Sequence, residues 1–348
     1  MPLKVQTVLG DVAPGALGRT LTHEHLAMDY SHFYSQPPPQ LKSALDHKIS
    51  LNQVGYLRQW PYSSSYNLVL NDKDAKAAVK NDVGYYKKFG GGTIAENTTE
   101  GLKRDLAFYK EVSKETGVHI VQGTGFYLAQ TQGRQVLGIS QEQHYQHMVD
   151  ELTVGCVEDK TVKAGFIGEV ASIWPLQDFE RTSIQAAGQA QETVGCGVSF
   201  HPHRVQEAPF EIIRLYLEAG GRADKAVMSH LDRTIFKTDV LLDFAALGVY
   251  CQYDLFGTEV SYYQLCESID MPSDAQRLDM MKLLVEEGFE DRLLMSHDIH
   301  TKHRLSDFGG HGYSHIINNV FPKMKIKGFS QQVIDKITID NPAKWLAF

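Results

Sequence analysis

The residues Thr22-His23-Glu24-His25 hold the first side chains in this sequence whose types and spacing suit chemistry. Thr20-Leu21-Thr22 reads as a strand. In a strand, side chains at i and i+2 share a face. His23 and His25 therefore project together, which is the geometry for two imidazoles on one divalent metal. Taken alone the pair reads better as two ordinary histidines in a turn, since HxH is common. Glu169, His201, His230 and Asp298 shift the weight, because each closes a short apolar run further along the chain. Singly, His201 could be a core histidine, Glu169 a strand-end ion pair and Asp298 a helix cap. Jointly, four imidazoles and two carboxylates are enough for two metal ions bridged by one carboxylate and a hydroxide. Such ligands suit zinc, and also manganese, iron or cobalt. Glu24 faces away from its flanking histidines. It completes no zincin HExxH helix, since position 27 is Ala27.

A scaffold must bring these residues together. Short apolar runs alternate with amphipathic ones along the chain. Strands are expected over 20–22, 93–97, 118–123, 164–169, 197–201, 226–230, 249–254 and 293–298. A leading hairpin would pair residues 5–8 with 18–22. Helices are expected from Asn71 as a cap, from Leu102 through Val112 and ended by Gly117, after a capping box at Ser140, and over 176–193, 209–219, 238–247, 274–287 and 329–339. Eight βα units in 348 residues predict a (β/α)8 TIM barrel, with the metal centre at the C-terminal ends of the strands. A doubly wound open sheet is disfavoured, because no GxGxxG follows the first strand. The whole of 1–348 reads as a single barrel domain with an inserted loop at about 31–70. That loop carries Pro37-Pro38-Pro39 and Trp60-Pro61-Tyr62, and its aromatics favour a packed cover.

Composition excludes several function classes. The net charge of −8 leaves no basic footprint for nucleic acid or an anionic membrane. No apolar run is long enough to span a bilayer, and the first residues lack a signal-peptide core. Cys156, Cys196, Cys251 and Cys266 show no CxxC spacing and read as buried free thiols, which suits a cytoplasmic location.

Several stretches are similar to the phosphotriesterase family of the amidohydrolase superfamily. They are Thr20-Leu21-Thr22-His23-Glu24-His25, Gly168-Glu169, His201-Pro202, Ser229-His230-Leu231-Asp232-Arg233 and Ser296-His297-Asp298, and the resemblance covers nearly the whole chain. It is strongest to the animal branch, through Glu96-Asn97-Thr98-Thr99, Tyr253-Asp254-Leu255-Phe256-Gly257-Thr258-Glu259 and Gly309-Gly310-His311-Gly312-Tyr313-Ser314-His315. The resemblance implies a binuclear metallohydrolase. His23, His25 and Asp298 would hold the buried metal, His201 and His230 the exposed one, and Glu169 would bridge. The founding enzymes bridge with a carboxylated lysine, so Glu169 makes amide or lactone hydrolysis more credible than phosphotriester cleavage. The animal branch implies N-acetyltaurine as substrate, giving taurine and acetate, with a lactonase or phosphotriesterase as the alternative.

On the chemistry alone, Asp298 is placed to take a proton from the attacking water and return it to the leaving nitrogen. The expected partner is a small anionic N-acyl molecule, and a homodimer is compatible with such a chain. Arg233 is the leading candidate to clamp the anion, though it could equally pair with Asp232 or Asp298. Lys302 and His203 are further candidates, with Arg204 beside the latter. Arg304 reads more simply as a solvated charge. Tyr127, with Phe126 and Trp174, could line the pocket. Glu96 and Asn97, at the end of the second strand, could contact substrate or the groups around the ligands.

Overall fold

The computed structural model describes residues 2–348 apart from Asp46. A two-stranded antiparallel hairpin, β1 (Val5–Thr7) and β2 (Gly10–Val12), precedes the main sheet. Eight strands then line up in chain order: β3 (Arg19–Glu24), β4 (Gly91–Glu96), β5 (His119–Thr124), β6 (Phe166–Ala171), β7 (Gly197–His201), β8 (Ala226–Met228), β9 (Tyr250–Tyr253) and β10 (Leu293–Met295). Every neighbouring pair is parallel. The two end strands meet through the Asp298 amide, which donates to the His23 carbonyl at 3.1 Å, and the His23 amide, which donates to Ser296 Oγ at 3.0 Å. The result is the expected (β/α)8 barrel.

Alternation along the strands sorts the core into two layers. Ala95, Val121, Phe166, Val227, Tyr250 and Leu294 point inward and form a plug with Trp345 and Leu346. Their sequence neighbours Ile94, Ile120, Ile167, Met228, Leu293 and Met295 point outward against the helices. The chain ends seal the floor, with Lys4 and Phe348 exchanging backbone bonds at 3.2 and 3.0 Å. A packed plug below leaves only the C-terminal strand ends open for a site.

Local chemistry sets the helix bounds. Ser140 and Gln143 form the expected capping box ahead of Gln141–Thr153, and Ser273 with Gln276 forms another ahead of Asp274–Glu286. Gly117, at φ +69°, ends Leu106–Thr116 in the left-handed region open to glycine. Two expectations are corrected. The cap of Lys73–Lys88 is Asp72, whose Oδ1 accepts from the Ala75 amide at 2.9 Å, and not Asn71. The hairpin partner of β1 is 10–12 and not 18–22, because Thr7 and Gly10 close a tight turn around Val8-Leu9. Cys156, Cys196 and Cys251 are buried free thiols, whereas Cys266 is only half-buried.

Segment 31–70 is a run of short helical turns over the open end of the barrel. Its base is zipped by the Tyr30 amide on the Leu68 carbonyl at 2.9 Å and the Leu70 amide on Met28 at 2.8 Å. Leu57, Tyr62 and Leu68 are buried beneath it. The loop after β9 clasps it. Gln264 accepts from the Tyr62 amide at 3.0 Å and donates to Ser63 Oγ at 2.8 Å, and Trp60 packs on Tyr262.

Candidate metal centre

His23, His25, Glu169, His201, His230 and Asp298 converge at the C-terminal end of the barrel, all buried. Two groups of ligand atoms are close enough to hold an ion: His23, His25 and Asp298, and His23, Glu169 and His230. Glu169 reaches both sides. Its Oε1 lies 3.4 Å from His25 Nε2, and its Oε2 lies 2.7 Å from His201 Nδ1 and 3.7 Å from His230 Nε2. Asp298 Oδ1 stands 3.1 Å from His25 Nε2 and 3.8 Å from His23 Nε2.

The backbone is distorted to deliver these groups. Only three non-glycine residues among those described have positive φ, and His230 (58°) and Asp298 (54°) are two of them. Such conformations cost about 1–3 kcal/mol each and need support. The Asp254 carboxylate supports His230, with Oδ1 accepting from the His230 amide at 3.0 Å and from Nδ1 at 2.7 Å. The His23 carbonyl and Glu24 support the β10 end. Glu24 Oε1 accepts from Ser296 Oγ, the His297 amide and His297 Nδ1, each at 2.8 Å, and Oε2 accepts from the Ile299 amide at 2.9 Å. Thus Glu24 and His297, which point away from the ligands, brace them. Gly168, before Glu169, has φ +135°, and a Cβ there would sit 2.5 Å from the Ser199 carbonyl, so only glycine fits.

The electrostatics favour a bound cation. Burial opposes charge on His23, yet Glu169, Asp254 and Asp298 outweigh it and raise its pKa to about 10. Burial would push the Glu169 carboxyl up, but His23 and His201 hold it well below the usual range. Burial likewise opposes ionisation of Asp298, and His300 with His25 overrides it. Burial keeps His201 well below its ordinary pKa, with His230 and Arg233 adding to it against the pull of Glu169. Its lone pair is therefore available. His23 Nε2 is fully buried with no hydrogen-bond partner, aimed between the carboxylates. Carboxylates demanding positive charge, neutral imidazole and an orphaned nitrogen together fit divalent metal.

The residues expected at the substrate pocket divide. Arg233, Arg204 and Tyr127 face cavities over the ligands, as does His203 in the outer one. Asp232 is taken by Arg277 at 2.9 Å, so Arg233 does not pair with it. Lys302 is corrected: its ammonium lies under segment 31–70, on Asp72 and on the Tyr66 carbonyl at 2.7 Å. Arg304 is no solvated charge, for it is buried and donates to the carbonyls of His297 and Asp298. Glu96 and Asn97 do not face the cavity. Glu96 binds Thr98, whose Oγ1 meets His25 Nδ1 at 2.9 Å, and Asn97 donates to the carbonyls of Thr22 and Ala95. Phe126 packs on His144 and Phe179 in the core.

Two residues escaped the sequence reading. Asp254 orients His230, and its place at a strand end was the available signal. His300 Nδ1 stands 3.2 Å from Asp298 Oδ2, and its Nε2 meets Tyr62 Oη at 3.0 Å. Nothing in the sequence ties His300 to Tyr62.

Residues 3–346 match the Phosphotriesterase family. Phosphotriesterase-related protein of Drosophila melanogaster is 57% identical over 345 residues, covering 99% of both chains. The one from Drosophila grimshawi is 55% identical over 346 residues, again covering 99% of both. Among solved structures, a resiniferatoxin-binding protein from Rhodobacter sphaeroides superposes with a TM-score of 0.94 at 26% identity, over 99% of this chain and 94% of that one. The phosphotriesterase homology protein of Escherichia coli, complexed with phosphate in its active site, gives 0.77 at 24%, over 95% and 99%. Likeness that runs from end to end, on a barrel whose strand ends gather side chains that could hold metal ions, establishes that this chain is a hydrolase belonging to the phosphotriesterase family.

Proposed function

We propose that the protein cleaves the amide of small N-acyl substrates, above all N-acetyltaurine to taurine and acetate, using two zinc ions held by His23, His25, Glu169, His201, His230 and Asp298, in the cytoplasm. The supporting observation is the division of labour on Asp298: Oδ1 faces His25 and His23, while Oδ2 turns to His300. One oxygen would serve the cation side, and the other is left to exchange a proton, because His300 Nδ1 bonds the Asp298 backbone carbonyl at 2.7 Å. When bound, the ions acidify the attacking water and polarise the carbonyl. Asp298 Oδ2 accepts the proton of that water and returns it to the leaving nitrogen, since an amine anion is a very poor leaving group. Glu169 joins the two sides through its two oxygens. Tyr30, Tyr62 and Leu255 wall the cavity and exclude bulk water.

The test is a side-by-side assay of purified, zinc-loaded protein on N-acetyltaurine, N-acetyl amino acids, lactones and paraoxon. Amide turnover well above the others is expected. Faster cleavage of a lactone or of paraoxon would overturn the amide reading in favour of that alternative. Because Glu169 needs no carbon dioxide to bridge, apo-protein reconstituted with zinc in carbonate-free buffer should recover two ions per chain and full activity. A strict bicarbonate requirement would show that a lysine supplies the bridge instead.

A further inference from the structure

The buried and half-buried arginines of this barrel differ in what their donors meet. Arg104 pairs with Glu151 and Glu158, and Arg277 with Asp232 and Asp274. Arg304 is spent on backbone carbonyls. Arg204 and Arg233 have no carboxylate partner among the described residues. The Arg204 guanidinium meets a single side-chain oxygen, Tyr263 Oη, at 3.0 Å from Nη2 and 3.3 Å from Nε. A guanidinium carries five N–H donors, so most of Arg204 is unspent. Arg233, 2% exposed, reaches the Pro202 carbonyl at 3.3 Å and His201 Nε2 at 3.1 Å.

The Arg233 contact is itself provisional on the metal. A guanidinium only donates, so His201 Nε2 must carry no proton to accept from it. His201 Nδ1 is the nitrogen beside Glu169. A cation held at Nδ1 would leave the ring proton on Nε2, and Arg233 would lose that acceptor.

Both arginines line the cavity that contains Asp298 and His201, with Tyr30, Tyr62, Tyr263 and Leu265 as further walls. Asp298 is the one acid on those walls among the described residues. A cation taken from water without an acidic partner is costly, and an anionic ligand would compensate it. The chain as a whole carries −8, so an anion must be captured locally. The cavity is tight, about 30 Å³ and well below the usual range for ligand sites, which restricts the ligand to a small molecule.

We infer that Arg204, oriented by Tyr263 and joined by Arg233, reads an anionic group on the amine half of the substrate, so that the site takes short N-acyl amines ending in a sulfonate or carboxylate. This rests on the amide-hydrolase reading for the reacting half alone. Tyr263 sits on the loop after β9, the one that clasps segment 31–70 through Gln264. Anion recognition is thus built into the cover over the metal side chains.

Two readouts test it on the zinc-loaded protein. The first is the kcat/KM of N-acetyltaurine and of N-acetyl-β-alanine, each relative to uncharged N-ethylacetamide. The second is calorimetric binding of ethanesulfonate and propionate, which requires no turnover. Arg204→Met should lower the anionic-to-neutral ratio by about 10- to 100-fold and weaken the preferred small anion by a similar factor. Arg204→Lys, which keeps the charge and a flexible stem, should fall between wild type and Met, and Tyr263→Phe should lose several-fold by releasing the guanidinium. The sulfonate and carboxylate arms show which anion the fork prefers. Equal losses on charged and neutral amides, or unchanged anion binding in Arg204→Met and Arg204→Lys, would overturn the inference. Arg204-dependent ethanesulfonate binding in a protein that cleaves no amide would uphold it while removing the amide reading.

Discussion

At the floor of the cavity, six side chains arrive from the ends of five strands, and each rests on a neighbouring strand end. His230 leans on Asp254, His25 on Thr98 and Asp298 on the backbone of His23. At the rim, residues 31–70, 257–272 and 300–315 meet through side chains from distant segments, such as Gln264 on Ser63 and His300 on Tyr62. The floor is fixed by the ladder that defines the barrel, so a strand-end position in the sequence implies a place in space. The rim is fixed by which loops touch, so neighbours in sequence part company. Lys302 and Arg304 are two residues apart, yet one is buried under segment 31–70 and the other beneath the metal side chains.

The largest effect that tests this contrast belongs to the floor. Asp298→Asn keeps one oxygen toward His25 but cannot take up the proton of the attacking water. Turnover should fall by about 100-fold or more while zinc stoichiometry stays near that of wild type. Near-normal rates with both ions bound would leave Asp298 as a ligand alone.

A smaller loss is expected one layer below. Asp254 Oδ1 holds His230 Nδ1 at 2.7 Å, and Oδ2 lies 3.3 Å from His23 Nδ1. A carboxylate behind a ligating imidazole fixes its tautomer and orientation. Asp254→Asn should therefore weaken zinc binding by about 10- to 100-fold in competition with a chelator. Unchanged affinity would mean that the backbone at His230 suffices to aim the ring.

These two variants also mark how far the sequence could be read. The HxH pair was legible because a period of two puts both rings on one face, and Glu169, His201, His230 and Asp298 because each ends an apolar strand. Asp254 met the same criterion, at the end of β9, but carried no ligand spacing of its own and went unassigned. Glu96 and Asn97 end a strand too, and yet they serve Thr98 and backbone carbonyls. Position at a strand end locates a residue at the right end of the barrel. It does not say whether the side chain faces the axis or the next strand, because register shifts interrupt β3 and β6 near the site. At the rim, Arg233, Lys302 and Arg204 were alike as loop cations after ligand-bearing strands. Only tertiary contacts separate a cation with a carboxylate from one without.

The smallest expected effect is the one that sharpens the comparison most. Lys302 was a reserve candidate for the anion on grounds of charge and position. Its ammonium pairs with Asp72, bonds the Tyr66 carbonyl at 2.7 Å and lies 3.5 Å from the Tyr66 ring centroid. Asp72 also caps Lys73–Lys88, so this ammonium ties segment 31–70 to the first long helix of the barrel. Lys302→Met keeps most of the stem's volume and removes the charge. It leaves Asp72 partly exposed to water, which can solvate it, so the cost should be modest, roughly 1–2 kcal/mol. That is a fall of a few degrees in unfolding temperature for a domain of this size. The ratio of N-acetyltaurine to N-ethylacetamide turnover should not move, because the charge removed does not face the cavity. A drop in that ratio comparable to Arg204→Met, without loss of stability, would return Lys302 to the substrate and show that the rim rearranges around the ligand.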